Sequence, residues 1–190
     1  MGFIHYLHFD MPLGMKADAM VMTVQDLYPL TLPGYCSATR KAYFKHLTRH
    51  NTRRAAAVIS VSENTKKDLV NCLRVPEEKI HVIPHGIARD FRLMDDAERL
   101  ATVRQRHQLP DRFILYTGMH KTHKNLSRLL KAYARLPETQ QAEYSLVLTG
   151  PVNDDTDILK EETQTLNISP QVMFLGLIPF ADLPVLYNLA

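Results

Sequence analysis

The segment Phe113 to Asn125, FILYTGMHKTHKN, has residue types in an order that suits an anion. An apolar run ends in Gly118, a basic loop follows, and a helical pattern opens near Asn125. A strand-ending glycine lets a ligand approach the backbone. The free N–H groups of the next helix start, reinforced by its dipole, favour phosphate oxygens. Lys124 adds a full positive charge there. The same residues also fit a solvated loop with Asn125 as a plain helix N-cap. The sequence contains neither GxxxxGK[ST] nor GxGxxG, so neither a P-loop nor a dinucleotide fingerprint competes for the phosphate.

The elements that must position this loop alternate in an α/β rhythm. Ala19 to Val24, Ala57 to Val61 and Lys79 to Ile83 are short, β-branched apolar runs with helical stretches between them, the pattern of buried parallel strands. The rhythm restarts after Pro110 with Phe113 to Thr117, Ser145 to Thr149 and Val172 to Leu175, each leading to a glycine. Between the two sets, Pro84-His85-Gly86 ends a strand, and an amphipathic helix is expected near Asp95 to His107. Two α/β layers follow, with domains over residues 1–90 and 91–190. Each half shows about three strands where an open nucleotide-binding sheet has about six, so both halves read as incomplete. Asp182 to Ala190 reads as a helix with no stop signal after it.

Composition narrows the function classes. With 45% hydrophobic residues, 23% charged and a net charge of +3, the chain can bury a core. It has no apolar run of the ~18 residues a membrane helix needs, and its first residues lack the features of a signal peptide, so a cytoplasmic location is the expectation. Cys36 and Cys72 are too few for a disulfide framework and lack zinc spacing. Leu27 to Ser62 contains no acid, whereas Asp154, Asp155, Asp157, Glu161 and Glu162 cluster late. Within the acid-free part, Lys41, Lys45, Arg49 and Arg53 stand four apart on one drifting helical face, with Ala42 and Leu47 elsewhere. That stripe is either a solvated face or a dock for an anionic membrane surface or a lipid-linked acceptor. Tyr43 and Phe44 read as packing, and no nucleic-acid-binding motif accompanies them, so no nucleic acid partner is expected.

Six segments, in order, resemble the family 4 retaining glycosyltransferases of the GT-B fold, which include many lipopolysaccharide and exopolysaccharide mannosyltransferases. They are TVQDLYPL (23–30), AAVISVSENTKKDL (56–69), KIHVIPHGI (79–87), FILYTGMHKTHKNLSRLLKAY (113–133), LVLTG (146–150) and VMFLGLIPFADLPVLYNLA (172–190). The resemblance implies two Rossmann-like halves of a GT-B fold, both incomplete here. It implies transfer of a sugar, with retention, from a nucleotide-sugar donor to a saccharide or lipid-linked acceptor in cell-envelope or exopolysaccharide synthesis, without a metal or other cofactor. The protein would then work in the cytoplasm or at the inner face of the membrane.

By the same resemblance Lys124 contacts the donor diphosphate beside Gly118 and Asn125, and Gly150 ends the next strand beside the donor. Phe174, Leu175, Gly176 and Leu177, up to Ile178, offer main-chain groups to the base. The family's E-x7-E motif would fall after Ala190, so the isolated chain is expected not to turn over. Two positions depart from the pattern. Gln25 stands where the family has a histidine at the reacting centre; an amide can donate a hydrogen bond but cannot shuttle a proton. Met119 stands where many members place an arginine on the diphosphate; His120, Lys121 or His123 either substitute for it or are mobile loop cations. These departures leave open a catalytically impaired homologue acting as a nucleotide-sugar-binding or partner subunit.

Overall fold

The computed structural model describes residues 2–9 and 18–190. It divides into two compact units, Met1–Gly86 and Ile87–Ala190, so the break placed at residue 90 from sequence falls inside the second unit.

The first unit is built on a parallel sheet in the order β1 (Phe3–Tyr6), β2 (Ala19–Val24), β3 (Ala57–Ser60), β4 (Ile80–Val82). The register aligns Met22 with Val58 and Val58 with Ile80, so the apolar residues of the three inner runs stack across neighbouring strands. Helices α1 (Tyr28–Thr31), α2 (Ala38–Arg54) and α3 (Glu63–Leu73) complete the unit. Their starts are set by capping: Ser37 accepts from the Arg40 N–H and Ser62 from the Thr65 N–H, each satisfying an orphan donor of the first turn. Phe44 of α2 and Leu69 and Leu73 of α3 join Met22, Val24, Val58 and Ile80 in one core. Each such side chain contributes about 1.5–3 kcal/mol by leaving water.

In the second unit the parallel order is β5 (Phe113–Thr117), β6 (Ser145–Thr149), β7 (Val172–Gly176). Its helices are α4 (Ala97–Arg106), α5 (Leu126–Tyr133), α6 (Glu138–Glu143), α7 (Asp154–Thr165) and α8 (Leu183–Leu189). Strand β6 shows why both sheet faces are covered. Leu146 and Leu148 enter a core with Leu126, Leu130 and Leu159, while Val147, pointing the other way, packs with Val103, Val185 and Leu186. Helices α5 and α7 therefore cover one face, and α4 and α8 the other. Asp182, buried just before α8, accepts from Arg106 at 3.0 Å and from His107 at 2.8 Å, which ties the end of α4 to the start of α8. Burial pushes the Asp182 carboxyl up, but the hydrogen bonds from His107 and Arg106 outweigh it and hold the group below the usual carboxylate range.

The six strands expected from sequence are all present within a residue or two of their expected ends, and the fold is α/β with parallel sheets in both units. The first sheet has one strand more than expected, β1. The late acidic cluster has a structural explanation. Asp154, Asp155 and Asp157 form the first turn of α7, where carboxylates complement the helix dipole, and Asn153 and Thr156 close a reciprocal cap. On α2, Lys41, Lys45 and Arg53 are exposed, but Arg49 is half-buried with its Nε fully enclosed, so the stripe is narrower than its spacing suggested. Tyr43 corrects another expectation: Phe44 packs in the core, whereas Tyr43 is 67% exposed. Among the described residues no helix is long and apolar enough to cross a membrane.

Candidate functional site

All three strands of the second sheet run parallel and end at one edge, the carboxyl edge where open α/β sheets bind ligands. Each is terminated by a glycine: Gly118 directly follows β5, Gly150 follows β6, and Gly176 is the last residue of β7. The Gly118 N–H donates to the Thr149 carbonyl at 3.0 Å, and the Gly150 N–H donates to the Gly176 carbonyl at 2.9 Å. The Thr149 hydroxyl adds a second bond to that carbonyl at 2.8 Å. The strand ends thus form one hydrogen-bonded ledge. Two of its glycines are obligatory. Gly118 (φ +143°) and Gly150 (φ +151°) occupy backbone conformations that side chains rarely adopt, and a Cβ at Gly150 would sit 1.9 Å from the Gly118 carbonyl oxygen.

The loop leaving the ledge sorts the basic residues read from sequence. Lys121 lies 3.9 Å from Asp155 of α7. Lys124 closes a short 3-10 turn, is exposed, and has no acidic partner among the described residues. It is the lysine of this loop left free to meet an external anion. His120 is not a loop cation. It is 1% exposed, its Nδ1 lies 3.0 Å from the Thr156 hydroxyl, its Nε2 has no hydrogen-bond partner, and Tyr116 and Phe174 flank its ring. Burial pulls its pKa below the ordinary histidine value, so it resists charging. Met119, where sequence reasoning looked for an arginine, is half-exposed and gives its carbonyl to the Tyr116 hydroxyl at 3.1 Å.

Asn125 stands at the N-cap position of α5, but with φ +59° and no side-chain cap bond. Its role is to turn the chain from the loop into the helix rather than to cap it, which departs from the plain N-cap reading. Past the ledge, Phe174 and Leu175 turn their side chains to the two opposite cores, and Leu177 is 79% exposed. The backbone at Gly176 and Leu177 therefore emerges from the sheet edge just where β7 ends. Among the described residues no group of three or more His, Cys, Asp or Glu side chains converges as metal ligands would.

The first sheet has its own carboxyl edge. Gln25 directly follows β2, and its carbonyl accepts from the Thr65 hydroxyl at 3.1 Å. Its side-chain Oε1 lies 2.6 Å from Nε2 of His85, which follows β4. Sequence reasoning singled out Gln25 but missed His85. The two are 60 residues apart, and the only available signal was that both closely follow parallel strands.

Comparison with known proteins places these edges in context. Residues 3–91 match the family model Glycosyltransferase Family 4, and residues 101–190 match Glycosyl transferases group 1. The chain is 27% identical over 176 residues to O-antigen chain mannosyltransferase B of Escherichia coli, covering 92% of this chain and 46% of that protein. It is 31% identical over 140 residues to the serotype-specific mannosyltransferase WbdA of Escherichia coli, covering 72% of this chain and 17% of that one. The chain thus spans less than half the length of these curated relatives. Among solved structures, HepE of Anabaena in complex with UDP and glucose superposes with a TM-score of 0.71 at 20% identity, over 90% of this chain and 44% of that one. WaaG, a glycosyltransferase involved in lipopolysaccharide biosynthesis, superposes with a TM-score of 0.70 at 16% identity, over 90% of this chain and 50% of that one.

Proposed function

From the premise that this chain belongs to the GT-B glycosyltransferases, one half to Glycosyltransferase Family 4 and the other to Glycosyl transferases group 1, we propose that the intact protein transfers a sugar from a nucleoside-diphosphate donor to a saccharide or lipid-linked acceptor in surface-polysaccharide synthesis. The observation that carries this reading is the glycine ledge closing β5, β6 and β7, with Lys124 unpaired on the loop that leaves it. A diphosphate leaving group carries the charge released when the glycosidic bond breaks. A fixed cation and backbone N–H groups stabilise that charge without a proton transfer and without a metal. Relatives that are named as mannosyltransferases favour a hexose such as mannose, and the neighbour holding UDP and glucose favours a nucleoside diphosphate as the handle. In this reading the backbone at Phe174 to Leu177 meets the base, Gly118, Met119 and Asn125 shape the diphosphate loop, Gly150 lies beside the donor, and configuration is retained.

The exposed cations Lys41, Lys45 and Arg53 of α2, with the half-buried Arg49, are proposed to hold the protein against the anionic surface that carries the acceptor. No observation favours a catalytically silent partner subunit.

The test is transfer by the intact protein from a panel of nucleotide sugars, including GDP-mannose and UDP-glucose. Lys124→Ala should lower kcat/KM roughly 10- to 150-fold, the worth of a charge-assisted contact of about 1.5–3 kcal/mol. Met119→Arg, which adds a bidentate donor to the same loop, should tighten binding of the nucleoside diphosphate product. An unchanged kcat/KM for Lys124→Ala removes that lysine from the site, and unchanged product affinity for Met119→Arg means the loop does not face the diphosphate.

A further inference from the structure

The carboxyl edge of the first sheet contains an oriented carboxamide. Gln25 is held at both ends. Its main-chain carbonyl accepts from Thr65, a buried residue of the first turn of α3 whose own N–H is capped by Ser62 at 3.1 Å. Its side-chain Oε1 meets His85 Nε2 at 2.6 Å. A carboxamide oxygen can only accept, so the imidazole nitrogen carries the proton and donates it. With the oxygen turned to His85, the NH2 group of Gln25 points away from that bond, and it has no partner among the described residues. The side chain cannot exchange its N–H face for its oxygen without breaking the bond to His85.

We propose that His85 is a positioning residue for the transfer reaction: it fixes the Gln25 amide so that the NH2 donor is the group presented to a sugar hydroxyl oxygen at the strand edge. The inference rests on the sugar-transfer reading given above. It differs from a proton relay, because no proton passes through Gln25 and the bond needs only a donor at position 85. Uncharged polyols and sugars present hydroxyl oxygens that accept such a bond, which sets the ligand class apart from the diphosphate handled by the second sheet. Gln25 touches the sugar in this arrangement; His85 acts through Gln25.

The test exploits two side chains of similar length that differ in donor ability. In the intact protein, His85→Gln keeps a donor for the Gln25 oxygen, and His85→Met removes it. His85→Gln should hold kcat/KM within about threefold of wild type, and His85→Met should lower it roughly five- to tenfold, the worth of one oriented hydrogen bond. A His85→Met variant equal to wild type overturns the proposal. So does a His85→Gln variant that falls as far as His85→Met, since that result demands the imidazole itself.

A second arm needs no turnover. The carboxamide nitrogen and carbon NMR shifts of Gln25 should stay near wild type in His85→Gln and move to those of a solvated glutamine in His85→Met. Identical Gln25 shifts in wild type and His85→Met refute the positioning role. Absence of transfer by the wild type with every donor instead sinks the sugar-transfer reading, and the shifts still decide the geometry.

Discussion

Replacing Gly150 by alanine tests whether the strand-end ledge is a packed structure or an ordinary turn. A methyl group at this position would lie 1.9 Å from the Gly118 carbonyl oxygen and 2.8 Å from its carbon. Ordinary contacts between such atoms are about 3.5–4.0 Å. The obstacle is backbone, so no side chain can swing away. The backbone conformation (φ +151°) adds strain of about 1–3 kcal/mol for any residue with a Cβ. Relieving the overlap must part β5 from β6, at a further cost of about 1–3 kcal/mol as overpacking. It would also loosen the Gly118-to-Thr149 and Gly150-to-Gly176 bonds. Together these give about 2–6 kcal/mol, whose upper part is the size at which single substitutions become diagnostic. Gly176 is the internal control. It too has positive φ (+70°), but its nearest obstacle is Val152 Cγ2 at 3.8 Å, so alanine there meets only the left-handed penalty of about 1–2 kcal/mol. Urea unfolding with amide hydrogen exchange read at Gly118, Val147 and Leu148 separates the two variants. Equal destabilisation by both, or undiminished protection of the Gly118 amide in Gly150→Ala, refutes the close approach of the strand ends.

Two further outcomes follow from the structure. His120 is buried with its pKa held below the ordinary value of 6.5, so the unfolded chain binds a proton that the folded one refuses. The second unit should lose stability as pH falls below about 6.5, and the loss should be complete once pH is below the depressed folded value. His120→Leu should flatten that dependence in thermal melts, because the titrating imidazole is gone; a variant as pH-sensitive as wild type assigns the effect elsewhere. Changing Lys41, Lys45, Arg49 and Arg53 together to glutamine should abolish salt-sensitive co-sedimentation of the intact protein with anionic vesicles, at about 1 kcal/mol per exposed cation. Equal sedimentation with neutral vesicles, or an unaffected variant, leaves α2 as a solvated face.

The sequence made the inner strands legible because a parallel strand covered on both faces must be apolar at successive positions, as Leu146, Val147 and Leu148 are. Strand β1 escaped for the complementary reason. As an edge strand with Phe3 67% exposed, FIHY buries little and carries no continuous apolar run. The glycines that end β5, β6 and β7 were visible as residues. Their different constraints were not: only the pairing of strand ends shows that Gly150 faces a carbonyl while Gly176 faces open space. The basic loop was legible as charge, but not as a division of labour. The rings of Tyr116 and Phe174, with Thr156 of α7, enclose His120, and Asp155 of α7 engages Lys121, so residues distant along the chain decide which cation stays free.

The same limit explains why the first sheet's edge read as a deficiency. Taken alone, Gln25 is a histidine lost, because one-dimensional comparison sees each position separately. The parallel topology brings the end of β4 within reach of the end of β2, and the residue that arrives there is His85. An imidazole is thus present at that edge, one hydrogen bond behind the position where it was sought. What changes is the chemistry it can perform: joined to a carboxamide oxygen, it orients a donor and does not itself meet the ligand through that nitrogen. An amide fixed by its neighbour can hold a hydroxyl oxygen in place without changing charge, which is the role proposed for Gln25.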